Sequence, residues 1–244
     1  SRYGLIAYAS SFDQIGIFGS SVEDIALFLE IMAGPDHYDS TASTLAVEEY
    51  AKNLKTNKKF RIAWFRQALE HPSLDPEIAG AIFDFIQRLQ HEGHTVEPVD
   101  FDLLDFIVPA YYVLTTAEAS SNLSRYDGVN FGARTIQTVN NLDDFYKKSR
   151  SEGFGKEVKR RIMLGTFVLS TGYYDAYYSK AQQIRKLISA RTELIFKDFD
   201  IILLPTTPTP AFRFGEKSHD AVEMFLADLY TVFANLAGIP GISF

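Results

Sequence analysis

The sequence contains no cysteine, which excludes disulfide bonds, thiolate metal ligands and a cysteine nucleophile. It also lacks any run of 18 apolar residues and any charged leader followed by an apolar segment, so we expect neither a membrane span nor a secretory signal. Cations are scarce as well. The 24 Lys and Arg residues face 31 Asp and Glu residues, a formal net charge of −7. Gripping a polyphosphate backbone requires clustered cations, so any nucleic acid would need another subunit. These absences favour a cytoplasmic protein.

The remaining composition is that of an ordinary globular chain. Its 244 residues are 46% hydrophobic and 23% charged, enough to build a large core. No linker of typical composition divides the sequence, so residues 1–244 are predicted to form a single domain. The chain opens on Ser-Arg-Tyr-Gly without Met and closes on an apolar run, so we expect both ends to be cut.

A short apolar segment at residues 199–204, closed by prolines at 205, 208 and 210, predicts a strand buried on both faces. A helical pattern at residues 173–197 leads into it, and another at about 222–236 follows the proline-rich loop. Ligands of open α/β sheets bind at the carboxyl ends of strands, so we expect binding chemistry near this loop.

Residues 60–65 and 95–99 predict two parallel strands, joined by a helix that Asp75 caps and Gly93 ends. Further helices are predicted from the cap at Ser21 to Gly34, at 103–125 with a break or a kink near Pro109, from Asn141 to Phe145, and at 157–169. Residues 5–16 are compatible with a strand and a turn. Together these patterns predict an α/β fold with a mixed sheet and helices on both faces.

Two tempting site patterns have ordinary structural explanations. His91 and His94 flank Gly93, where a helix should end, and no third ligand lies at zinc-like spacing, so we predict no metal site. The serine pairs at 10–11, 20–21 and 120–121 occur in no Gly-x-Ser-x-Gly turn, so helix capping and tight packing explain them better than nucleophilic catalysis.

One combination of residues does indicate a ligand. Arg160 or Arg161, Asp228, and Tyr111 or Tyr112 supply a cation, an anion and an amphipathic ring. A free amino acid presents a carboxylate and an ammonium group, which an arginine and a carboxylate hold best. The residues alone leave open which arginine and which tyrosine take part.

Several long segments of the chain resemble the amidase signature family, and within it the glutaminase subunits of tRNA-dependent amidotransferases. The matching segments follow one another in the family's order: residues 1–16, 118–128, 159–166, 172–178 and 235–243. The family's Gly-Gly-Ser-Ser-Gly-Gly-type segment and its upstream lysine have no counterpart here. The resemblance therefore implies the carboxyl-terminal portion of such a protein, an incomplete fragment of the amidase fold.

The resemblance implies a specific chemistry. In the family a serine attacks the amide, a second serine and a lysine transfer its proton, and ammonia is released. In the tRNA-dependent enzymes that ammonia passes to a partner subunit, which uses ATP and Mg to convert glutamate on tRNA(Gln) to glutamine. The resemblance thus implies a heterotrimer with B and C subunits, charged tRNA bound mainly through the partner, and no cofactor in this chain.

The resemblance also assigns residues. Arg161 would hold the α-carboxylate of the donor glutamine, Asp228 its α-ammonium group, and Tyr112 would line the pocket, with Arg160 and Tyr111 as the neighbouring alternatives. Because the serines and the lysine of the triad are missing, we expect no catalytic residue in this chain and no activity from it alone. Two other functions remain possible: a hydrolase of small amides in the same family, and a non-catalytic interaction module.

Overall fold

The computed structural model describes residues 2–214 and 226–244. The chain divides into two compact units, the first made of Ser1–Ala7 and Asp13–Lys58, the second of Tyr8–Phe12 and Lys59–Phe244. The prediction of one domain stays a prediction. The described helices are α1 (Val22–Met32), α2 (Arg66–Leu69), α3 (Pro76–His91), α4 (Leu104–Asn122), α5 (Leu142–Gly153), α6 (Lys156–Val168), α7 (Lys180–Asp198) and α8 (Thr231–Ala237). The described strands are β1 (Arg61–Phe65), β2 (Thr95–Val99) and β3 (Ile201–Leu203).

The three described strands of the second unit form one parallel sheet in the order β2-β1-β3. The α/β class is therefore confirmed, and so are the two strands predicted on either side of α3. Asp75 caps α3 by accepting the amide hydrogen of Glu77 at 2.8 Å. Beyond the helix Gly93 adopts a positive φ of 90°, which a residue without Cβ adopts at little cost.

The prediction that the strand after residue 199 is buried on both faces is wrong. β3 pairs with β1 and lies at the edge of the described sheet, and 41% of Ile201 is exposed. The central position belongs to β1, in which Ile62, Ala63 and Phe65 are buried. An apolar run does not reveal how fully each face of a strand is covered by the elements packed against the sheet.

Of the break or kink predicted near Pro109, the break does not occur, because α4 continues through that residue. A proline at this position removes the bond to the carbonyl of Asp105, which lies in the exposed first turn of the helix. The neighbouring side chains of Ile107, Val108 and Ala110 are buried and hold the turn in place.

Two predicted helices have shifted bounds. Asn141 does cap α5, accepting the amide hydrogen of Asp144 at 2.8 Å, but the helix runs to Gly153. The pattern at 173–197 begins as a π-helical turn, Tyr174–Ser179, before α7 starts. The helix predicted at about 222–236 falls partly on residues 222–225, outside the described residues, and its remainder overlaps α8, which ends at Ala237.

The core of the second unit is built on aromatic rings. Phe65 stacks on Phe101 with ring centroids 4.3 Å apart, and Phe233 of α8 meets both rings edge-on at 5.2 and 5.5 Å. Tyr230, also buried, donates its hydroxyl hydrogen to the carbonyl of Ala68 at 2.9 Å. Apolar packing therefore joins β1 to α8, and a hydrogen bond joins α2 to the residue just before α8.

The first unit contains α1 and a 3₁₀ turn, Tyr50–Asn53. Ser21 caps α1 as predicted, accepting the amide hydrogen of Asp24 at 3.1 Å. Residues 5–16, which contribute to both units, form turns and irregular structure and contain no strand.

Candidate functional site

Tyr112 of α4 and Asp228, which precedes α8, are joined by a short hydrogen bond. The Tyr112 hydroxyl donates to Asp228 Oδ2 at 2.6 Å. Burial of the ring, and then the neighbouring carboxylate, raise the pKa of Tyr112 well above its ordinary value, so this hydroxyl keeps its proton and acts as a donor. Asp228 Oδ1 accepts no hydrogen bond from the described residues. This oxygen is the one available to a ligand.

Arg161 of α6 is held on two sides. Its Nε donates to Glu157 Oε1 at 3.2 Å, and its Nη1 donates to the Tyr8 hydroxyl at 3.4 Å. The guanidinium carbon also lies 5.5 Å from the centre of the Tyr8 ring. Nη2 donates to no residue that the structure describes. The guanidinium group therefore retains an open edge.

Arg161 and Asp228 both interact with Tyr112, but they do not neutralise each other. Asp228 raises the pKa of Tyr112, whereas the charge of Arg161 opposes that rise. Within the described residues the ion pair of Arg161 is with Glu157, not with Asp228. The cation of Arg161 and the anion of Asp228 thus both interact with Tyr112, and each keeps hydrogen-bonding atoms that no described residue uses. This arrangement is chemically complementary to a zwitterion.

The two neighbouring alternatives have different surroundings. Arg160 is half exposed, and its Nη1 lies 3.2 Å from Glu157 Oε2. Tyr111 packs edge-on against Phe12, with ring centroids 5.5 Å apart. The structure thus places Tyr112 and Asp228 in contact, and the charge of Arg161 acts on Tyr112. The roles of these residues as ligand contacts stay predictions.

The relative position of α4 and α6 is set by a close crossing at Gly165. A Cβ atom on Gly165 would lie 1.9 Å from the carbonyl oxygen of Thr116 and 2.7 Å from Ser120 Cβ. Only glycine permits this approach. Tyr112 lies one helical turn before Thr116, and Arg161 lies one turn before Gly165. The crossing therefore helps to bring both site residues together.

The sequence reasoning missed the segment 8–12 as a part of this region. The Asn122 amide group donates to the Tyr8 carbonyl at 3.1 Å and to Ser10 Oγ at 3.0 Å. The Ser11 amide donates to Glu118 Oε2 at 2.9 Å, and Arg185 Nη1 donates to Ser11 Oγ at 2.9 Å. The signal available in the sequence was that residues 1–16 and 118–128 both resemble the family. That resemblance does not show that the two segments are in contact.

Two of the residues considered above, His94 and Ser120, have structural partners. Nδ1 of His94 accepts the amide hydrogen of Phe60 at 3.0 Å, and Ser120 Oγ lies 2.9 Å from Thr166 Oγ1. Among the described residues no group of three or more His, Cys, Asp or Glu side chains could hold a metal ion. None of the described helices combines the length and apolar character that crossing a bilayer requires.

Comparison with known proteins identifies the family. The amidase family profile matches residues 1–244. The chain belongs to the amidase family. Among curated relatives of this amidase chain, the glutamyl-tRNA(Gln) amidotransferase A subunit of Clostridium botulinum is 48% identical over 243 residues. The protein of the same name from Brevibacillus brevis is 49% identical over 243 residues. The resemblance inferred from the sequence is thereby confirmed.

The amidase chain spans about half the length of the curated relatives it matches. The alignment covers 100% of this chain, but 50% of the C. botulinum protein and 49% of the B. brevis protein. The solved structure of the glutamyl-tRNA(Gln) amidotransferase A subunit from Thermotoga maritima superposes with a TM-score of 0.74 at 35% sequence identity, covering 100% of this chain and 49% of that one. The predicted amidase-signature fold is confirmed, with three parallel strands in the described part of the sheet.

Proposed function

We propose that this chain forms the donor-binding part of the amidase subunit of a glutamyl-tRNA(Gln) amidotransferase. The observation that carries the proposal is the hydrogen bond between Tyr112 and Asp228. Arg161, whose charge also acts on Tyr112, forms its ion pair with Glu157 rather than with Asp228. The curated relatives, similar over the whole length of the chain, support the same assignment.

In this proposal the two charges bind the two ends of free glutamine. The open edge of Arg161 receives the α-carboxylate, and Asp228 Oδ1 accepts hydrogen bonds from the α-ammonium group. Tyr112 holds the other carboxylate oxygen of Asp228 and so fixes the direction of the free one. The side-chain amide of glutamine is then presented to the reacting groups.

The reacting groups themselves are proposed to come from outside residues 1–244. The sequence contains no Gly-Gly pair and hence no Gly-Gly-Ser-Ser-Gly-Gly-type segment. We therefore propose that the nucleophilic serine, the second serine and the lysine are supplied elsewhere, and that this polypeptide alone does not hydrolyse glutamine.

The remaining steps are proposed to take place in other subunits. Ammonia released from glutamine would pass to the B subunit, which binds ATP and Mg and amidates glutamate on tRNA(Gln), in a cytoplasmic heterotrimer with the C subunit. The net charge of −7 agrees with charged tRNA being held mainly by the partner rather than by this chain.

The proposal is tested in the protein encoded by the complete reading frame, assembled with its B and C subunits. Arg161→Ala should lower kcat/KM for glutamine about 100-fold or more, because it removes one of two charges that hold a buried ligand. Asp228→Asn should lower it by about 10-fold or more for the same reason. Glutamate release measures both effects.

Arg160→Ala is the matched control, since Arg160 shares Glu157 with Arg161 but is half exposed. It should change kcat/KM by less than about 2-fold, as expected for an exposed charge. Unchanged glutamine hydrolysis in both Arg161→Glu and Asp228→Lys would contradict the proposal and favour an amidase of small neutral amides. If Arg160→Ala lowered kcat/KM strongly and Arg161→Ala did not, Arg160 rather than Arg161 would bind the α-carboxylate.

A further inference from the structure

We infer that Tyr8 is a positioning residue, which fixes the guanidinium group of Arg161 for the α-carboxylate of the donor. The inference rests on the proposed function of the Arg161 site and assigns to Tyr8 a part in its specificity. Tyr8 lies more than 150 residues before Arg161 in the sequence, and the fold brings the ring and the cation together.

Tyr8 and Glu157 hold different parts of the guanidinium group. Glu157 accepts from Nε, whereas the Tyr8 hydroxyl accepts from Nη1 and its ring lies under the guanidinium carbon. Arginine has many rotamers, and fixing them before the ligand arrives reduces the entropy lost on binding. Neither contact uses Nη2, so its hydrogens remain available to an anion.

The aromatic ring holds the cation without neutralising it. A second carboxylate in place of Tyr8 would pair with Arg161 and compete with the donor carboxylate. A ring attracts the cation through its quadrupole and adds no negative charge to that of Glu157, so the guanidinium group can still attract an anion. Tyr8 is thus suited to fixing the direction of Arg161 while preserving its affinity for an anion.

Tyr8 is itself anchored by the helix that carries Tyr112. The amide group of Asn122 on α4 donates to the Tyr8 carbonyl at 3.1 Å, and the next residue, Ala9, is fully buried. The segment continues to Ser11, whose amide is bound by Glu118 of the same helix. Helix α4 therefore positions Tyr112 directly and Arg161 through Tyr8.

The test compares two variants of Tyr8 in the complete assembled enzyme. Tyr8→Leu removes the ring and should raise KM for glutamine about 10-fold while kcat changes less than about 2-fold. Tyr8→Phe keeps the ring face and should raise KM less than about 3-fold. With propionamide, which has no α-carboxylate, Tyr8→Leu and the wild type should have equal kcat/KM.

Tyr38→Leu is the matched control, a tyrosine of the first unit with 73% of its surface exposed. It should leave both substrates unaffected. Asn122→Ala keeps the ring but frees the Tyr8 carbonyl, so KM for glutamine should rise by about 3-fold, in the same direction, even where Tyr8→Leu folds poorly.

Two results would overturn the inference. One is a parallel loss of kcat/KM for glutamine and propionamide in Tyr8→Leu, which would indicate a merely structural role. The other is an unchanged KM for glutamine in both Tyr8→Leu and Asn122→Ala. Failure of the proposed function is distinguishable, because Arg161→Ala would then also leave KM for glutamine unchanged, and the inference would fall with it.

Discussion

The two compact units are stabilised in different ways. In the second unit Phe65, Phe101 and Phe233 form a closely packed aromatic group that is 0–3% exposed. In the described residues of the first unit only Ala26 is buried, and 53% of Phe28 and 72% of Ile31 remain exposed. The second unit therefore depends on a buried apolar core, whereas in the described residues of the first unit the apolar contacts are largely exposed, as in the stacked rings of Tyr3 and Tyr38.

Polar contacts hold the first unit. The Arg2 amide donates to Asp39 Oδ2 at 2.9 Å, and the Arg2 side chain donates to Thr41 Oγ1 at 2.7 Å. Thr41 in turn donates to Asp39 Oδ1 through its hydroxyl at 2.6 Å. The stability of the two units should therefore respond to different substitutions. Added side-chain volume should destabilise the second unit, and loss of a charge should weaken the first.

The largest effect is expected from Gly165→Ala in the second unit. The new methyl group would lie 1.9 Å from the Thr116 carbonyl oxygen, a backbone atom that cannot move independently. We expect a loss of about 3 kcal/mol or more in the free energy of unfolding, together with loss of glutamine binding. Chemical denaturation measures the stability change.

Gly80→Ala is the control, because Gly80 lies in the exposed middle of α3 and a Cβ there meets no atom within 4 Å. It should stabilise the protein by roughly 0.5–1 kcal/mol through helix propensity. Equal effects of the two substitutions would show that helix propensity, rather than the close crossing, decides the outcome at Gly165.

A smaller effect is expected from Tyr230→Phe, which tests the polar contact in the apolar core. The substitution leaves the Ala68 carbonyl without its buried donor and should cost about 1–2 kcal/mol in the free energy of unfolding. Thermal and denaturant unfolding at neutral pH measure this loss.

The Tyr230 contact should also depend on alkaline pH. Burial raises the pKa of Tyr230 from 10.0 to about 12. Between these values the unfolded chain releases the proton while the folded chain retains it, so the stabilisation is present below pH 10 and is lost as the pH rises to 12. The difference in stability between wild type and Tyr230→Phe should narrow over that interval. A constant difference would contradict this assignment.

The smallest effect is expected from Asp39→Asn in the first unit. The substitution weakens the contacts to Arg2 and Thr41, so amides at residues 36–44 should exchange hydrogen faster while the unfolding of the second unit is unchanged. Hydrogen exchange followed by mass spectrometry measures this difference. Faster exchange in α4 of the same variant would contradict the separation between the two units.

The pH dependence of the Asp39 contacts has the opposite sign to that of Tyr230. Hydrogen bonds from Thr41 and Arg2 hold the pKa of Asp39 well below its ordinary 3.8. The protection that the carboxylate provides is therefore complete above pH 3.8 and is lost as the pH falls below it. Asp39→Asn should show no such acid dependence.

Local signals in the sequence predicted the elements whose ends are marked by caps. Asp75 with Pro76, Ser21 and Asn141 each located a helix start correctly, because a capping side chain acts on amides within its own first turn. The two strands around α3 followed from their apolar patterns and their spacing. The chemistry of the side chains grouped an arginine, Asp228 and a tyrosine, and the family resemblance then chose Arg161 and Tyr112 over their neighbours.

Long-range arrangement is what the sequence did not reveal. The exposure of β3 depends on what packs against the faces of the sheet, and the continuity of α4 at Pro109 depends on the burial of its neighbours. The role inferred for Tyr8 depends on a contact across 153 positions. Each of these features is set by tertiary packing, which overrides local propensity.

Because α4 and α6 cross closely at Gly165, both site residues lie near the crossing point. Tyr112 and Arg161 each stand four residues from the point of closest approach, about 6 Å along their helices. A rotation of one helix by about 10° around that point would displace either residue by roughly 1 Å, a misplacement that can cost about two orders of magnitude in rate. Even a small change of helix angle would therefore alter donor binding, and the close contact at Gly165 is what holds that angle.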